Sequence, residues 1–334
     1  MRVVVVGAGA IGGLVAAKLA RAGEDVTVVA RGAHLAAIRA RGLALREGGG
    51  EEIARVRATD RVAELGPQDV VVLAMKAHQV GAVAADVGAV AGASTTIVTM
   101  QNGIPWWYFF RHGGPHEGTR LESVDPGGAI AASIDVAKVV GSVVYPAAEI
   151  AEPGVIQHIE GNRFSLGEPD GSETPRVKAL AEALRRAGFK ARVTSDIRSE
   201  IWVKLWGNCT FNPLSALTHA TLAGICRFPP SRALAMDMMR EAQTIGEKLG
   251  AKFGVSLEKR IAGAESVGEH KTSMLQDVEA GRPLELDALL GSVIELGRIT
   301  GTATPSLSAV YGCASLLART LAEGEGRLRL ERAR

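Results

Sequence analysis

The chain has 334 residues, of which 47% are hydrophobic and 22% are charged. This composition is typical of a globular protein with room for two domains. The 38 basic and 36 acidic residues are well mixed and leave a formal net charge of +2, which argues against nucleic-acid or membrane-surface binding. The three cysteines are isolated and lack metal-ligand spacing, so we expect reduced core cysteines and no metal site.

The N-terminus predicts a strand, a turn and a helix. Residues 2–6 (RVVVV) are typical of a buried parallel strand, and they end at the glycine-rich stretch GAGAIGG. Residues 11–22 then show helical spacing and stop at Gly23. A secretory signal also begins with an apolar run, but glycines interrupt this one and no membrane-length apolar segment follows it. We therefore expect a cytoplasmic protein.

The next elements continue the alternation of strands and helices. Apolar runs at 26–30, 69–74 and 95–100 predict three more buried strands, with an Ala/Val-rich helix at 78–90 between the last two. Such alternation is typical of an α/β, Rossmann-type, doubly wound parallel sheet. We predict this fold for the N-terminal part of the chain.

The second half of the chain has a different pattern. After an irregular, aromatic-rich segment at 104–138, the patterns predict β segments at 139–147 and 155–167, a helix at 174–187 and a strand at 190–194. Beyond about residue 196 only helical patterns occur, at 197–217, 231–250, 258–280, 284–300 and 306–323. We predict an α/β domain at 1–195, an all-α domain at 196–325, and a frayed tail at 326–334.

The glycine-rich stretch fits the dinucleotide-binding pattern GxGxxG, through Gly7, Gly9 and Gly12. A lone match is weak evidence, but this one follows a strand and opens a helix. Gly7 would make the tight turn, Gly9 would admit the pyrophosphate, and Gly12 would let the helix pack on the strand. The backbone of Ala10 and Ile11 would then belong to the anion site at the helix N-terminus.

The end of the second strand favours NADP(H) over NAD(H). An NAD site usually has a carboxylate there for the ribose 2′-hydroxyl. This chain has Val29-Ala30-Arg31 instead. A guanidinium offers a fork of donors to a 2′-phosphate, although an arginine after a strand is often only a solvated loop residue.

Polar residues follow two further predicted strands. Lys76 comes after the strand at 69–74, and Asn102 after the strand at 95–100. Carboxyl ends of parallel strands face the ligand crevice of an open α/β sheet. We therefore expect both side chains near the nicotinamide end of the cofactor, although Asn102-Gly103 would also make an ordinary turn.

A polar row occurs on an otherwise apolar predicted helix, in WVKLWGNCTFNP at 202–213. Lys204, Asn208 and Asn212 recur every four residues, and each step of four rotates by about 40°, so they share one narrow stripe. On an isolated helix the simple interpretation is a lysine that reaches water beside solvated amides. The alternative is a row that lines a cleft and faces a ligand.

A third polar group lies near the Gly281-Arg282-Pro283 break. Ser273 and Asp277 share a helix face at i and i+4, and Glu285 opens the next helix. Considered alone, Glu285 is better explained as a favourable charge at a helix N-terminus.

These features together resemble the ketopantoate reductase (2-dehydropantoate 2-reductase) family. The resemblance spans most of the chain, in the family's order, and rests on GAGAIG at 7–12, Lys76, QNG at 101–103, the row Lys204, Asn208, Asn212 followed by Pro213, SMLQD at 273–277, and Glu285. It implies NADPH-dependent reduction of a branched 2-keto acid in pantothenate synthesis.

The resemblance also implies a role for each matched residue. Lys204 would be the general acid, and Glu285 would order the substrate and the lysine. Substrate contacts would come from Asn102, Asn208, Asn212 and Ser273, with Asp277 as a neighbouring polar partner. Cofactor contacts would come from Gly7, Gly9, Ala10, Ile11, Gly12, Arg31, Lys76 and Asn102.

Two alternatives stay open from the sequence. A paralogue with the same catalytic residues would act on another 2-keto or 2-hydroxy acid, and the segment at 104–138, longer than in compact family members, keeps that option open. A regulatory protein that senses NADP without turnover would need neither Lys204 nor Glu285.

Apolar stripes at 284–300 and 306–323 suggest a homodimer through the helical region.

Overall fold

The structure, a computed structural model, describes residues 1–330 and divides into two compact units. The first unit comprises 1–120 and 125–197, and the second comprises 121–124 and the chain from Arg198 onward. The strands are β1 (Arg2–Val6), β2 (Asp25–Val29), β3 (Leu43–Glu47), β4 (Gly50–Ala54), β5 (Arg57–Thr59), β6 (Val70–Leu73), β7 (Thr96–Thr99), β8 (Val139–Val144), β9 (Ala147–Glu152), β10 (Val155–Glu160), β11 (Arg163–Gly167) and β12 (Lys190–Val193). The α-helices are α1 (Ala10–Arg21), α2 (Gly32–Arg41), α3 (Ala84–Val90), α4 (Ala129–Ser133), α5 (Pro175–Arg186), α6 (Ile197–Thr218), α7 (Leu222–Arg227), α8 (Pro229–Lys248), α9 (Leu257–Ser266), α10 (Ser273–Ala280), α11 (Ser292–Ile299) and α12 (Pro305–Glu323).

An eight-stranded sheet forms the framework of the first unit, in the order β12-β11-β8-β7-β6-β1-β2-β5. All neighbouring strands pair in parallel except β8 and β11, which are antiparallel. The central strands β6 (VVVL) and β7 (TIVT) are buried along their whole length, as expected for a parallel sheet covered on both faces. The predicted fold class, an α/β parallel-sheet domain with an all-α C-terminal region, is confirmed.

A second, four-stranded sheet was not predicted. Its order is β4-β3-β10-β9, with β3 and β10 parallel and the other pairs antiparallel. Its edge strands, GEEIA in β4 and AAEIAE in β9, are largely exposed, so neither has the apolar run that marks a buried strand. Pairing between strands far apart in sequence, rather than local pattern, determines this sheet.

Helix α1 contacts strands of both sheets, and two consecutive glycines allow it. A Cβ on Gly12 would overlap the Gly7 carbonyl oxygen and lie 2.9 Å from the Ala74 Cβ. A Cβ on Gly13 would lie 2.6 Å from the Cδ1 of Ile156, in β10. Gly12 therefore sets the approach of α1 to the large sheet, and Gly13 sets its approach to the small one.

The second unit is helical, and α8 contacts α7, α9, α11 and α12. The single helix predicted at 258–280 is instead two helices, α9 and α10, separated by residues 267–272. Thr272 ends this break by capping α10, where its hydroxyl accepts a hydrogen bond from the Leu275 N–H at 3.3 Å. The helix predicted at 284–300 begins with a π-helical turn at Asp287–Gly291 before α11.

The aromatic cluster at 106–110 is mostly core rather than surface. Trp107, Tyr108 and Phe109 are fully buried, and the Trp107 indole N–H donates to the Thr99 hydroxyl at 3.0 Å. Shortly after it, residues 121–124 belong to the second unit. The carboxylate of Glu295, in α11, accepts from the backbone N–H groups of Glu122 and Ser123 at 2.8 and 2.9 Å.

Some smaller expectations also meet the structure. Cys209 and Cys226 are buried, but Cys313 is exposed on α12 and is not a core residue. Residues 326–330 form no helix or strand, yet the Leu328 N–H donates to the Val278 carbonyl at 3.3 Å. That part of the expected frayed tail is therefore held against α10, and residues 331–334 lie outside the described residues. None of the helices in residues 1–330 is long and apolar enough to cross a bilayer.

The close packing at Gly13 predicts an asymmetry between two glycine substitutions. Gly263 lies exposed in α9, and a Cβ there would meet no atom within 4 Å. Gly263→Ala should therefore stabilise the protein by about 0.5–1 kcal/mol through helix propensity alone. The free energy of unfolding of Gly13→Ala should be about 1–3 kcal/mol lower than that of Gly263→Ala, because the new Cβ would crowd Ile156.

Urea unfolding of the two variants measures this difference. Adding Ile156→Val should recover part of the Gly13→Ala deficit, as expected for residues in contact. Equal stability of the two alanine variants would show that the second sheet tolerates a side chain at Gly13.

Candidate active site

The glycine-rich turn between β1 and α1 has the backbone that a dinucleotide requires. Gly7 has a φ of +96°, and a Cβ on it would lie 2.8 Å from the Met75 nitrogen, so a side chain there would be strained and crowded. Gly9 is different, because a Cβ on it would meet nothing within 4 Å. The open space at Gly9 lies at the N-terminus of α1, where a phosphate is favoured. Ala10 and Ile11 are half-buried in the first turn of that helix.

A pocket of about 240 Å³ adjoins this turn. Its lining comes from the glycine turn, the end of β2, the start of α2, the segment after β6, and β9. The lining residues are Val6, Gly7, Ala8, Gly9, Val29, Ala30, Arg31, His34, Met75, Gln79, Val83 and Ile150. The pocket thus joins the expected pyrophosphate position to the strand end that faces the adenosine ribose, so these residues fit the adenosine half of a dinucleotide.

Arg31, which the sequence proposes as the contact to a 2′-phosphate, is among the residues that line this pocket. It is exposed and precedes the first turn of α2. No carboxylate occurs among the lining residues of the pocket. The charge that the pocket presents is therefore positive, and this suits a phosphate better than a hydroxyl pair.

His34 is a pocket residue that the sequence reasoning missed. Its Nδ1 accepts a hydrogen bond from the Gly154 N–H at 3.0 Å, and its Nε2 is buried with no hydrogen-bond partner of normal geometry. Burial lowers the pKa of His34, and the nearby Ala8 carbonyl partly opposes this change. The ring is thus neutral, with its proton on Nε2. Its position three residues after Arg31 was the one sequence signal.

Ile150 is a second missed residue, and it comes from the unpredicted sheet. Nothing in the local pattern around AAEIAE marks it as part of a cofactor pocket. Met75, Gln79 and Val83 also line the pocket and were missed, although they lie close to Lys76 in sequence. Met75 directly precedes Lys76, and the other two follow it closely.

Lys76 and Asn102 lie at the carboxyl edge of the large sheet but outside the lining of this pocket. Leu73 and Thr99 pair with each other where β6 and β7 end. Lys76 lies three positions after Leu73, and Asn102 lies three positions after Thr99. The Gln101 side-chain N–H₂ group donates to the Leu73 carbonyl at 2.8 Å and to the Met75 carbonyl at 3.2 Å. This bridge ties the two strand ends together. Both predicted residues are half-buried.

The polar row of α6 lies beside a firmly packed apolar face. Trp202 and Trp206 are fully buried, and both pack edge-on against Phe253. The Trp206 indole N–H donates to the Met239 carbonyl of α8 at 2.8 Å. These contacts fix the rotation of α6 about its axis. The rest of the helix surface must then carry the stripe of Lys204, Asn208 and Asn212.

Burial along the row increases toward its C-terminal end. Lys204 and Asn208 are half-buried, and Asn212 is only 6% exposed. Such desolvated polar groups are costly unless they meet partners. The row is therefore not the solvated face that the simple interpretation of the sequence required.

Lys204 and Glu285 form an electrostatic pair. Desolvation lowers the pKa of Lys204 to about 8, and the charge of Glu285 acts in the opposite direction by favouring the ammonium form. A lysine with a pKa near neutral pH can give up a proton and regain it during a catalytic cycle. A perturbed pKa with a specific charged neighbour is typical of functional sites.

The loop before Glu285 is held in place by the end of α10. Gly281 ends that helix in the left-handed conformation, with a φ of +65°. The buried carboxylate of Asp277 then accepts from the Arg282 Nε at 2.9 Å, and the Asp277 carbonyl accepts from the Arg282 N–H at 2.8 Å. Asp277 therefore braces the segment that leads to Glu285. Ser273 is exposed in the first turn of α10.

Comparison with known proteins agrees with this geometry. Residues 3–112 match the family model described as Ketopantoate reductase PanE/ApbA, and residues 196–318 match the model for its C-terminal part. A 2-dehydropantoate 2-reductase of Mesorhizobium japonicum is 57% identical over 319 residues, which are 95% of this chain and 98% of the relative.

Solved structures show the same relationship. A candidate ketopantoate reductase from Ralstonia solanacearum MolK2 is 44% identical with a TM-score of 0.92, over 96% of this chain and 98% of that one. D-mandelate dehydrogenase, solved with NADH and anilino(oxo)acetate, is 20% identical with a TM-score of 0.81, over 96% of this chain and 100% of that one. This last likeness shows a shared fold alone. The family resemblance read from the motifs is confirmed, and the chain belongs to the ketopantoate reductase family.

Proposed function

We propose that this protein is a 2-dehydropantoate 2-reductase, which reduces the ketone of a branched 2-keto acid to a 2-hydroxy acid with NADPH. The observation that carries the proposal is Lys204, a desolvated lysine with a pKa of about 8 whose ammonium form is favoured by Glu285. The family is NAD(P)-dependent. The high identity to the Mesorhizobium japonicum 2-dehydropantoate 2-reductase supports the choice of substrate.

The residues of the helical unit supply a proton and electrostatic stabilisation. NADPH, when bound, supplies the hydride that the ketone carbon accepts. Lys204 hydrogen-bonds to the ketone oxygen and donates its proton as negative charge develops there. The neutral lysine then regains a proton from water, so the reaction consumes one NADPH and one proton for each hydroxy acid formed.

The remaining polar residues would recognise the substrate. Asn208 and Asn212 offer amide groups to its hydroxyl and ketone oxygens, and their spacing on α6 aligns them with Lys204. Ser273 would contact the carboxylate. Asp277 would act by holding the Arg282 loop, and Glu285 by orienting both Lys204 and the substrate.

The cofactor would bind to the first unit, in the predicted domain at 1–195. Gly7, Gly9 and Gly12 shape the turn, and the backbone of Ala10 and Ile11 faces the pyrophosphate. Arg31 would pair with the 2′-phosphate, and Lys76 and Asn102 would lie toward the nicotinamide end. The helical region at 196–325 would bind the substrate.

Two other functions stay as alternatives. A related 2-keto or 2-hydroxy acid as the natural substrate would use the same residues, and the fold is shared with D-mandelate dehydrogenase. An NADP sensor without turnover is a weaker alternative, because it would not explain a desolvated lysine placed beside a carboxylate.

We extend the proposal to assembly and location. The predicted stripe at 284–300 is largely buried, whereas Leu316 on α12 is 64% exposed. We infer a homodimer through the α12 face, in the cytoplasm. Light scattering of the purified protein measures its mass, and a monomer at micromolar concentration would remove this part of the proposal.

The test of the function is NADPH oxidation, followed at 340 nm, with ketopantoate, pyruvate and 2-ketoisovalerate. We expect saturable turnover that strongly favours ketopantoate.

Lys204→Met should reduce turnover by roughly 10²- to 10⁴-fold while NADPH still binds, because the lysine acts mainly in the transition state. A preference of several hundred-fold for another acid would replace ketopantoate as the substrate, and turnover unchanged by Lys204→Met would refute the assigned acid.

The pKa of Lys204 predicts the pH dependence of the reduction. The protonated lysine is the acid, so kcat/KM should be high below about pH 8 and should fall as the pH rises through the pKa. Glu285→Gln removes the charge that raises this pKa. The alkaline limb of the profile should therefore move to lower pH in that variant, whatever its effect on the maximal rate. A limb near pH 10, or a shift upward, would contradict the assignment.

Arg31 should set the preference between the two cofactors. Arg31→Ala should weaken the binding of NADPH by roughly 10- to 100-fold and the binding of NADH by less than about 2-fold. The reason is that only NADPH has the 2′-phosphate that would pair with the guanidinium. Binding is measured by calorimetry, with Arg31→Lys as a control that keeps the charge but loses the fork. Equal losses for the two cofactors would show that Arg31 has another role.

A further inference from the structure

Ile150 is an exposed apolar side chain at the edge of the candidate cofactor pocket. It is 43% exposed, on strand β9 of the small sheet, and it lines the pocket together with Val29, Met75 and Val83. An isolated exposed isoleucine is common on protein surfaces and needs no explanation. An exposed isoleucine that completes the apolar wall of a pocket can contribute to binding, because a ligand in the pocket would cover its side chain.

The pairing of β9 and β10 shows which way Ile150 faces. Ile150 pairs directly with Ile156 across the antiparallel hairpin, and residues that face each other in such a pair project from the same side of the sheet. Ile156 is fully buried, with its Cδ1 against Gly13 of α1. Ile150 therefore lies on the side of the hairpin that packs on α1, at the place where that side opens into the pocket.

The hairpin is also linked to the glycine turn through His34. The Gly154 N–H, in the turn between β9 and β10, donates to the His34 Nδ1 at 3.0 Å. The ring also lines the pocket together with Ala8, which lies between Gly7 and Gly9. A neutral imidazole accepts at Nδ1 and presents its proton at Nε2, so one ring can relate the hairpin turn to the phosphate-binding turn.

We propose that the β9–β10 hairpin is a wall of the cofactor site, which contacts the adenosine end through Ile150 and is held at the glycine turn by His34. The inference rests on the proposed dinucleotide function and adds two residues to it. Ile150 is a direct contact that adds affinity without selecting between NADP and NAD, since the apolar surface it covers is common to both. His34 is a positioning residue, because it acts through Ala8 and Gly154.

Calorimetric binding of NADP, NAD and 2′,5′-ADP tests the contact at Ile150. Ile150→Ala should weaken all three by roughly 5- to 20-fold, as expected for partial loss of an apolar contact. The matched control is Ile159→Ala, because Ile159 is 53% exposed on the same hairpin and lies outside the pocket lining. That variant should bind within 2-fold of the unmodified protein.

The outcomes separate this inference from the function on which it rests. Unmodified protein that binds neither NADP nor 2′,5′-ADP would refute the cofactor assignment itself. Binding that is normal in the unmodified protein and unchanged in Ile150→Ala would overturn the wall alone. Equal losses in Ile150→Ala and Ile159→Ala would also overturn it, because they would reflect a weakened sheet.

A second pair of variants tests His34. His34→Ala should weaken the binding of NADP and of NAD equally, by roughly 10-fold, because the glycine turn would contact the pyrophosphate that both cofactors contain. His34→Asn retains an acceptor for the Gly154 N–H and should recover most of the loss, at a melting temperature similar to that of His34→Ala. If His34→Asn binds no better than His34→Ala, or if only NADP is weakened, the positioning role is overturned.

Discussion

The first unit depends on how closely helix α1 approaches the strands around it. A single Cβ at Gly12 would collide with the backbone of Gly7, and one at Gly13 would collide with Ile156. These two positions bring α1 against both sheets within one turn of its N-terminus. The same turn carries the amide groups that an anion would meet. Close packing and the proposed cofactor binding therefore use the same short stretch of sequence, so a substitution there would affect both.

The chemistry of the second unit depends on a balance between desolvation and charge. A lysine pKa that falls from 10.5 to about 8 corresponds to roughly 3 kcal/mol in favour of the neutral amine. Without Glu285 the pKa would be lower still, and a smaller fraction of the lysine would carry the proton that an acid donates. Without burial the ammonium would keep its proton too firmly. Together, burial and Glu285 would hold the pKa of Lys204 between these limits, as the proposed role of general acid near neutral pH requires.

The sequence predicts those parts of the structure whose physical cause is local. Buried parallel strands such as β1 and β6 consist of consecutive apolar residues, apart from the exposed Arg2 that begins β1. The glycine turn follows from the positive φ at Gly7, which favours glycine. The polar row of α6 follows from helical periodicity. Each of these signals lies within a few residues of the feature that it predicts.

The parts that the sequence does not predict depend on contacts between distant segments. The small sheet joins residues 43–54 to residues 147–160, and its polar edge strands carry no apolar pattern of their own. Ile150 belongs to the pocket because that sheet packs against α1, and His34, at the start of α2, accepts a hydrogen bond from the Gly154 N–H of the same sheet's hairpin turn. The cluster at 106–110 has the composition of an exposed binding patch as well as of a core, and only its packing decides between the two. Residues 267–272 interrupt a continuous helical pattern because the Thr272 cap starts a new helix there.

The positions around the cofactor pocket therefore differ in how freely they can vary. Gly7 and Gly12 are constrained by backbone atoms that would crowd any Cβ, and Gly13 is constrained by the side chain of Ile156. Arg31 is exposed, so we expect the residue proposed to choose between two cofactors to be replaceable with little effect on the fold. In the proposed site, affinity would come from the buried turn and the apolar walls, and selectivity would come from the charge of Arg31. It follows that a change of cofactor preference would require a substitution at the strand end and no rearrangement of either sheet.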